Sequence, residues 1–311
     1  MNHVGWNGSE LADHTGRTVG ITGASAGLGA ALTSRFAGLG ADVVLAVRNL
    51  AKGERIAERT RSAHPDASLR VLEVDLADLA SIRSFGAEFV GSFDRLDLLI
   101  NNAGVYGNTT DTTADGFGLM MGVGHLGHFA LTGAVIDLLI DTPDSRIVTV
   151  SSSVYSRGNI DLDRFHTPEA GAKGAYPNVK LANMLFMAEL QRRLPAGAST
   201  ISVAAGPPGT KTDGMQTGIA SIPIPPLRWV ADTVTDAIML SPEQGIEPVV
   251  RAATDPDASG GEYFTPSGFM SMRGEPEATP LKGNATDAQL ARDLWERSVE
   301  LTGVAYEGLG R

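Results

Sequence analysis

Short apolar runs rich in β-branched residues recur along the chain at 17–22 (RTVGIT), 41–47 (ADVVLAV), 68–74 (SLRVLEV), 96–100 (LDLLI), 145–151 (SRIVTVS) and 200–205 (TISVAA). Between them, over 27–39, 50–63, 78–90 and 178–194, apolar positions fall at helical spacing. Strands that are apolar on both faces are buried on both, and their alternation with helices builds a parallel sheet through right-handed crossovers. The pattern predicts an α/β chain with a doubly wound parallel sheet. GGEYFTP at 260–266 reads as the last strand, and 287–304 as an amphipathic helix covering the sheet or a lid. The stretches 153–174, 221–229 and 265–286 carry no clear period.

One segment sits awkwardly in this pattern. GFGLMMGVGHLGHF, 116–129, has apolar side chains at helical spacing, yet glycines stand at 116, 118, 122, 124 and 127. Each glycine inside a helix costs about 1 kcal/mol relative to alanine. A loop, a metal site on His125 and His128, and a helix with glycines at functional positions are the alternatives. Two imidazoles without a carboxylate spaced to join them point to packing, and no metal is expected.

Composition narrows the function. The 311 residues have a near-average makeup, enough for a substantial core, and a single domain over 1–311 is the first expectation. A net charge of −11 disfavours nucleic acid and anionic membranes as partners, since both attract cationic surfaces. The absence of cysteine excludes disulfides, thiolate nucleophiles and thiolate-held metal. The N-terminal MNHVGWNGSELADHTGR lacks the pattern of a signal peptide, and no uninterrupted apolar run reaches the roughly 18 residues of a membrane span. A cytoplasmic protein acting on a small molecule is expected.

Between the first strand and the first helix stands TGASAGLG, with Gly23, Ser25, Ala26, Gly27, Leu28 and Gly29. Glycines there let backbone N–H groups and a helix N-terminus approach a pyrophosphate. A purely structural turn is the weaker alternative. At the end of the second strand, where a dinucleotide site for NAD places a carboxylate, the sequence AVRNLAKGE has Arg48. A guanidinium suits a 2′-phosphate, so NADP(H) is expected in preference to NAD(H). Asp75 and Leu76 follow the third strand and Asn102, Ala103 and Gly104 the fourth, at the carboxyl ends where ligands of such sheets bind.

AYPNVKLANMLFMAELQ places Tyr176 and Lys180 four residues apart at the start of a helix, on one face. A free tyrosine titrates near 10, so exchanging a proton at neutral pH needs about 4 kcal/mol of help from a neighbouring positive charge. Such a pair by itself is commonly a surface pair. Here VTVSSS ends the preceding strand and offers hydroxyls beside it.

TGASAGLG, VDLAD, NNAG, VSSS and Tyr-x-x-x-Lys, in this order over about 17–210, resemble the short-chain dehydrogenase/reductase family. VVLAVRNLAKGE, GHLGHFALT and KLANMLFMAEL are most similar to its retinol dehydrogenase and protochlorophyllide reductase branch. The resemblance implies a Rossmann fold and hydride transfer between NADP(H) and a carbonyl or alcohol substrate. It also implies Tyr176 as proton donor or acceptor and as a contact to the cofactor, Lys180 as the group that lowers the tyrosine pKa and binds the nicotinamide ribose, and Ser152 as the partner of the substrate oxygen. Ser152 is preferred over Ser151 and Ser153 because the branch's serine is the second after the strand valine.

Three departures from the family pattern stand out. The branch commonly has asparagine at the position of Gly124, where it helps hold a water relaying protons to the lysine. A water filling the gap, a nucleotide-binding protein without turnover, and a substrate group entering the space are the competing consequences. The first is preferred, and restoring asparagine at 124 is then expected to raise turnover. After the sixth strand the chain reads GPPGTKT, with Pro208 where a glycine belongs, and the resemblance places Pro207, Thr210 and Thr212 near the cofactor. Pro177 follows Tyr176 directly and requires the helix to start close by. Residues 213–230 lie where the family has its substrate loop, and their apolar side chains suit a hydrophobic aldehyde or ketone, or packing against the body or a partner subunit. About 265–311 form a C-terminal extension, and a homo-oligomer is left open. An epimerase or dehydratase is a weaker alternative.

Overall fold

The computed structural model describes residues 8, 11–107, 109–171, 174–209, 240–268 and 271–309. The first half alternates β1 (Thr18–Thr22), α1 (Gly27–Gly38), β2 (Asp42–Val47), α2 (Leu50–Ala63), β3 (Leu69–Glu73), α3 (Leu79–Ser92) and β4 (Leu98–Asn101). There follow α4 (Leu119–Met121), a π-helical turn (Gly122–Leu126), α5 (Gly127–Asp141), β5 (Arg146–Val150), α6 (Ala175–Arg193) and β6 (Ile201–Ala205). After the expected substrate-loop region come α7 (Pro242–Gly245), α8 (Glu247–Thr254), β7 (Tyr263–Pro266), β8 (Pro276–Ala278) and α9 (Ala288–Thr302).

The strands form one sheet in the order β3-β2-β1-β4-β5-β6-β7-β8. Every pairing is parallel except β7 with β8, where Thr265 faces Glu277. This is the doubly wound Rossmann arrangement, and the strand order reverses between β1 and β4, where such sheets bind ligands. β1 and β5 are buried almost throughout, which their continuous apolar runs require. One apolar core lies between the sheet and α3, α5, α6 and α9, and the other between the sheet and α1, α2 and α8.

Three expectations are corrected. GGEYFTP is not the last strand, because β8 pairs with it from within 265–286. The fifth crossover helix starts at Ala175, not 178, after Gly174 in the left-handed region (φ 73). Pro177 is then the third helical residue, whose missing N–H has no intrahelical acceptor anyway. The 116–129 stretch is helical only from Leu119, since Gly116 (φ 85) lies in a turn, and its centre widens into the π-turn. Residues 213–230 lie outside the described residues.

Leu119–Asp141 spans 23 residues and is long and apolar enough to cross a membrane by composition, but 72% of its most apolar window is buried inside the fold. α9 is capped by Asp287, whose side chain accepts from Gln289 N and Leu290 N. It packs on α6 through Trp295 stacked on Phe186 (5.9 Å, 15°), and beyond it Tyr306 OH donates to Phe129 O at 2.6 Å. The extension thus closes the core over α5 and α6.

Candidate active site

A cavity of about 390 Å³ runs along the carboxyl ends of β1, β2, β3 and β4. Gly23, Ser25, Ala26, Gly27, Leu28, Arg48, Asp75, Leu76, Asn102, Ala103 and Gly104 line it, as the motifs lead one to expect. Gly29 lies behind the wall, where a Cβ would collide with the carbonyl oxygen of Gly23. Gly23 itself is left-handed (φ +67), with Ala103 3.0 Å from where its Cβ would be. Ala26, the residue before α1, makes no side-chain cap, and no acid stands in the first turn. Uncapped N–H groups and the positive helix end face the cleft, a donor set that fits a pyrophosphate.

Thr22 joins the two walls of the crossing point. Its Oγ1 accepts from Asn102 N (2.9 Å) and Ala103 N (3.0 Å), and Asn102 Nδ2 donates to Thr22 O (2.8 Å). The Asn102 side chain is therefore spent on holding β1 to β4. Sequence reasoning missed Lys52, which lines the cleft with Arg48 and Asn49. The signal was present as a second cation four residues after Arg48. Asp75 is the one carboxylate among the lining residues, and its Oδ1 accepts from Ala77 N at 2.9 Å.

Beyond the inner end of the cleft, at Tyr106 and Val123, lie Ser152, Tyr176 and Lys180. β5 delivers the three serines, and each has a different fate. Ser151 Oγ donates to Lys180 O (2.9 Å), Ser153 is exposed, and Ser152 stands half-buried near the Tyr176 phenol. Burial, and then Tyr106, push the Tyr176 phenol well above its ordinary value, while Ser152 pulls it down. Lys180 is not among the groups that shift the phenol. Lys180 Nζ is 5.5 Å from the centre of the Tyr176 ring and donates to Val150 O at 3.0 Å, beside Asn183 Nδ2 on the same oxygen.

Burial lowers Lys180 to about 8. An unfolded lysine titrates near 10.4, so between these values the unfolded chain binds a proton that the folded chain does not. Stability therefore rises with pH across this window, and the penalty is full below it. Lys180→Met is expected to be more stable than the parent at pH 7, by on the order of 1 to 3 kcal/mol, and to lose that advantage above about pH 10.4. Urea unfolding at the two pH values checks this.

The π-turn explains the glycines. A Cβ at Gly124 would stand 2.5 Å from Val179 Cγ1, and one at Gly127 2.5 Å from Leu76 O. Helix α6 and the cleft wall thus press directly on the turn. The space that an asparagine side chain would enter at Gly124 is occupied at its root by the Val179 methyl. His128 fastens the same turn. A carbonyl only accepts, so Nδ1 donates to Gly124 O (3.3 Å), and Nε2 accepts from Thr22 Oγ1 (2.9 Å). Burial lowers its pKa to about 4, keeping it neutral. His125 packs between Phe129, Phe165 and Phe186 and pairs with Ser298 Oγ at 2.9 Å.

Pro207 follows β6 half-buried and is not part of the cleft wall; Thr210 and Thr212 lie outside the described residues. Next to Pro207, a Cβ on Gly206 would collide with Tyr263 OH, so this glycine admits the phenol to the inner wall.

A doubly wound sheet, a glycine-rich first crossover and a Ser, Tyr and Lys cluster between β5 and α6 define a Rossmann-fold oxidoreductase. The sequence pattern of the short chain dehydrogenases matches residues 17–218. Mouse retinol dehydrogenase 14 is 37% identical over 93% of this chain and 86% of its own, and human retinol dehydrogenase 13 is 35% identical over 93% and 85%. An uncharacterized Mycobacterium Paratuberculosis protein of known crystal structure is 33% identical, with TM-score 0.76 over 97% of this chain and 99% of its own. A Shigella flexneri short chain dehydrogenase, solved complexed with NADP, shares the fold at 21% identity, with TM-score 0.64 over 82% and 98%. The chain belongs to the short-chain dehydrogenase/reductase family, in its retinol dehydrogenase-like branch.

Proposed function

We propose that the protein reduces a hydrophobic aldehyde or ketone with NADPH, as one catalytic domain in the cytoplasm. The observation that carries this is Tyr176 standing beside Ser152, with Lys180 Nζ 5.5 Å from the centre of its ring, at the inner end of the cleft. Gly23, Gly27 and the head of α1 hold the pyrophosphate, Arg48 and Lys52 the 2′-phosphate, and Asn102 keeps the wall in place. The NADP complexed with the Shigella relative and the absence of an acid at Arg48 support the phosphorylated cofactor. When bound, NADPH supplies the hydride. Ser152 orients the substrate oxygen and Tyr176 donates the proton to it, a role that suits a phenol held neutral by burial. Lys180 lies behind the phenol and steadies the charge that develops when the proton leaves. Burial of Leu119–Asp141 in the core supports a chain that does not use this helix as a membrane span.

Titrating NADPH and NADH by fluorescence and screening aldehydes and ketones for NADPH oxidation tests the proposal. Tight NADPH binding without oxidation across hydrophobic carbonyls would replace it by a nucleotide-binding role. Arg48→Asp is expected to weaken NADPH binding by about 10- to 100-fold, the range for a lost charge-assisted contact. NADH binding should change far less, and an unaltered preference would refute the cofactor assignment.

A further inference from the structure

We propose that Tyr106 is a placeholder for the substrate, its hydroxyl standing where the substrate carbonyl oxygen will accept the proton of Tyr176. The inference rests on the carbonyl reading above and adds to it the group that guards the site. Tyr176 OH donates to Tyr106 OH at 3.3 Å, and the two rings lie 5.0 Å apart at 34°. Tyr176 has a single proton, and it is given to Tyr106. A carbonyl to be reduced must take that same proton, so it and Tyr106 cannot both be served.

The competition is weighted towards the substrate. An O–H···O bond is ordinarily about 2.7 to 2.8 Å, and the bond to Tyr106 is long. Tyr106 is also built to leave. Its side chain is 53% exposed, one of three large hydrophobic side chains in that state among the described residues. It lies between Gly104 and Gly107, and a Cβ on either would meet nothing within 4 Å, so both glycines stand open to the outside. Tyr106 lines the nucleotide cleft as well, so its ring spans the boundary between cofactor and substrate. Once displaced, the ring offers an aromatic face to the apolar part of the substrate.

The test needs no turnover, because benzaldehyde in the presence of NADP+ has no hydride to accept. Benzaldehyde is titrated into the full chain, alone and with NADP+, and the Tyr106 resonance is followed in protein carrying 13C-labelled tyrosine. Five tyrosines keep the spectrum assignable. The Tyr106 signal is expected to move on binding, and Tyr106→Phe to bind benzaldehyde about three- to tenfold more tightly, the range of one net hydrogen bond. The Tyr176 signal in this variant should titrate at lower pH than in the parent. Equal or weaker benzaldehyde binding by Tyr106→Phe overturns the proposal and makes Tyr106 a donor to the substrate or a bystander. Failure to oxidise NADPH with any carbonyl would instead count against the reductase reading, so the two failures are distinguishable.

Discussion

Tyr176→Phe is expected to lower kcat for carbonyl reduction by about 10²- to 10⁴-fold, the range of a lost general acid, and to change NADPH affinity far less. The substitution keeps the ring against Tyr106 and Lys180 and removes only the hydroxyl that faces Ser152. A substrate oxygen held by Ser152 alone then has no proton donor within reach. The loss should appear in kcat and kcat/KM together, since the interaction is made in the transition state. The phenol is half-buried and gives up one long hydrogen bond, so its removal costs little stability at neutral pH. Rates of NADPH oxidation, NADPH fluorescence titration and a melting curve decide the matter. Turnover within threefold of the parent would show that the proton comes from elsewhere.

Gly124→Asn is expected to destabilise the fold by about 1 to 3 kcal/mol, the cost of forcing atoms into a packed interior, and not to raise turnover on its own. The Val179 methyl lies 2.5 Å from the position of the new Cβ, and Val179 is buried and stiff at its first torsion. Helix α6 would have to retreat, carrying Tyr176 and Lys180 away from Ser152. Val179→Ala removes the obstructing methyl at its own cavity cost. The double variant should be more stable than the sum of the single changes by about 0.5 to 3 kcal/mol, the coupling of residues in contact. Urea unfolding of the four proteins measures it, and strict additivity would show that Val179 is not what excludes the side chain. NADPH oxidation by the double variant then tests whether an asparagine at this place assists the proton route.

Periodicity and local motif chemistry made the fold legible. Strands apolar on both faces demanded burial on both, and TGASAGLG could hardly serve except as a tight crossover, with Gly29 tucked against Gly23. The lining of the cleft at the strand ends was readable for the same reason, because backbone turns at strand ends are local. β8 was not readable, since its pairing to β7 is antiparallel, short and supplied by a stretch without alternation.

At the candidate active centre, the sequence by itself determined which side chains were available: three consecutive serines after β5, Tyr176 and Lys180 on one helical face, and a glycine where a larger residue is usual. Tertiary structure alone decided their use. It turned Ser151 to the Lys180 backbone and Ser152 to the phenol, filled the place beside Gly124 with Val179, and brought Tyr106 from 70 residues away onto Tyr176. The physical reason is range: backbone periodicity and turn chemistry act over a few residues, whereas packing and competition for a single proton depend on groups that meet only when helices and loops distant in the chain close on one another.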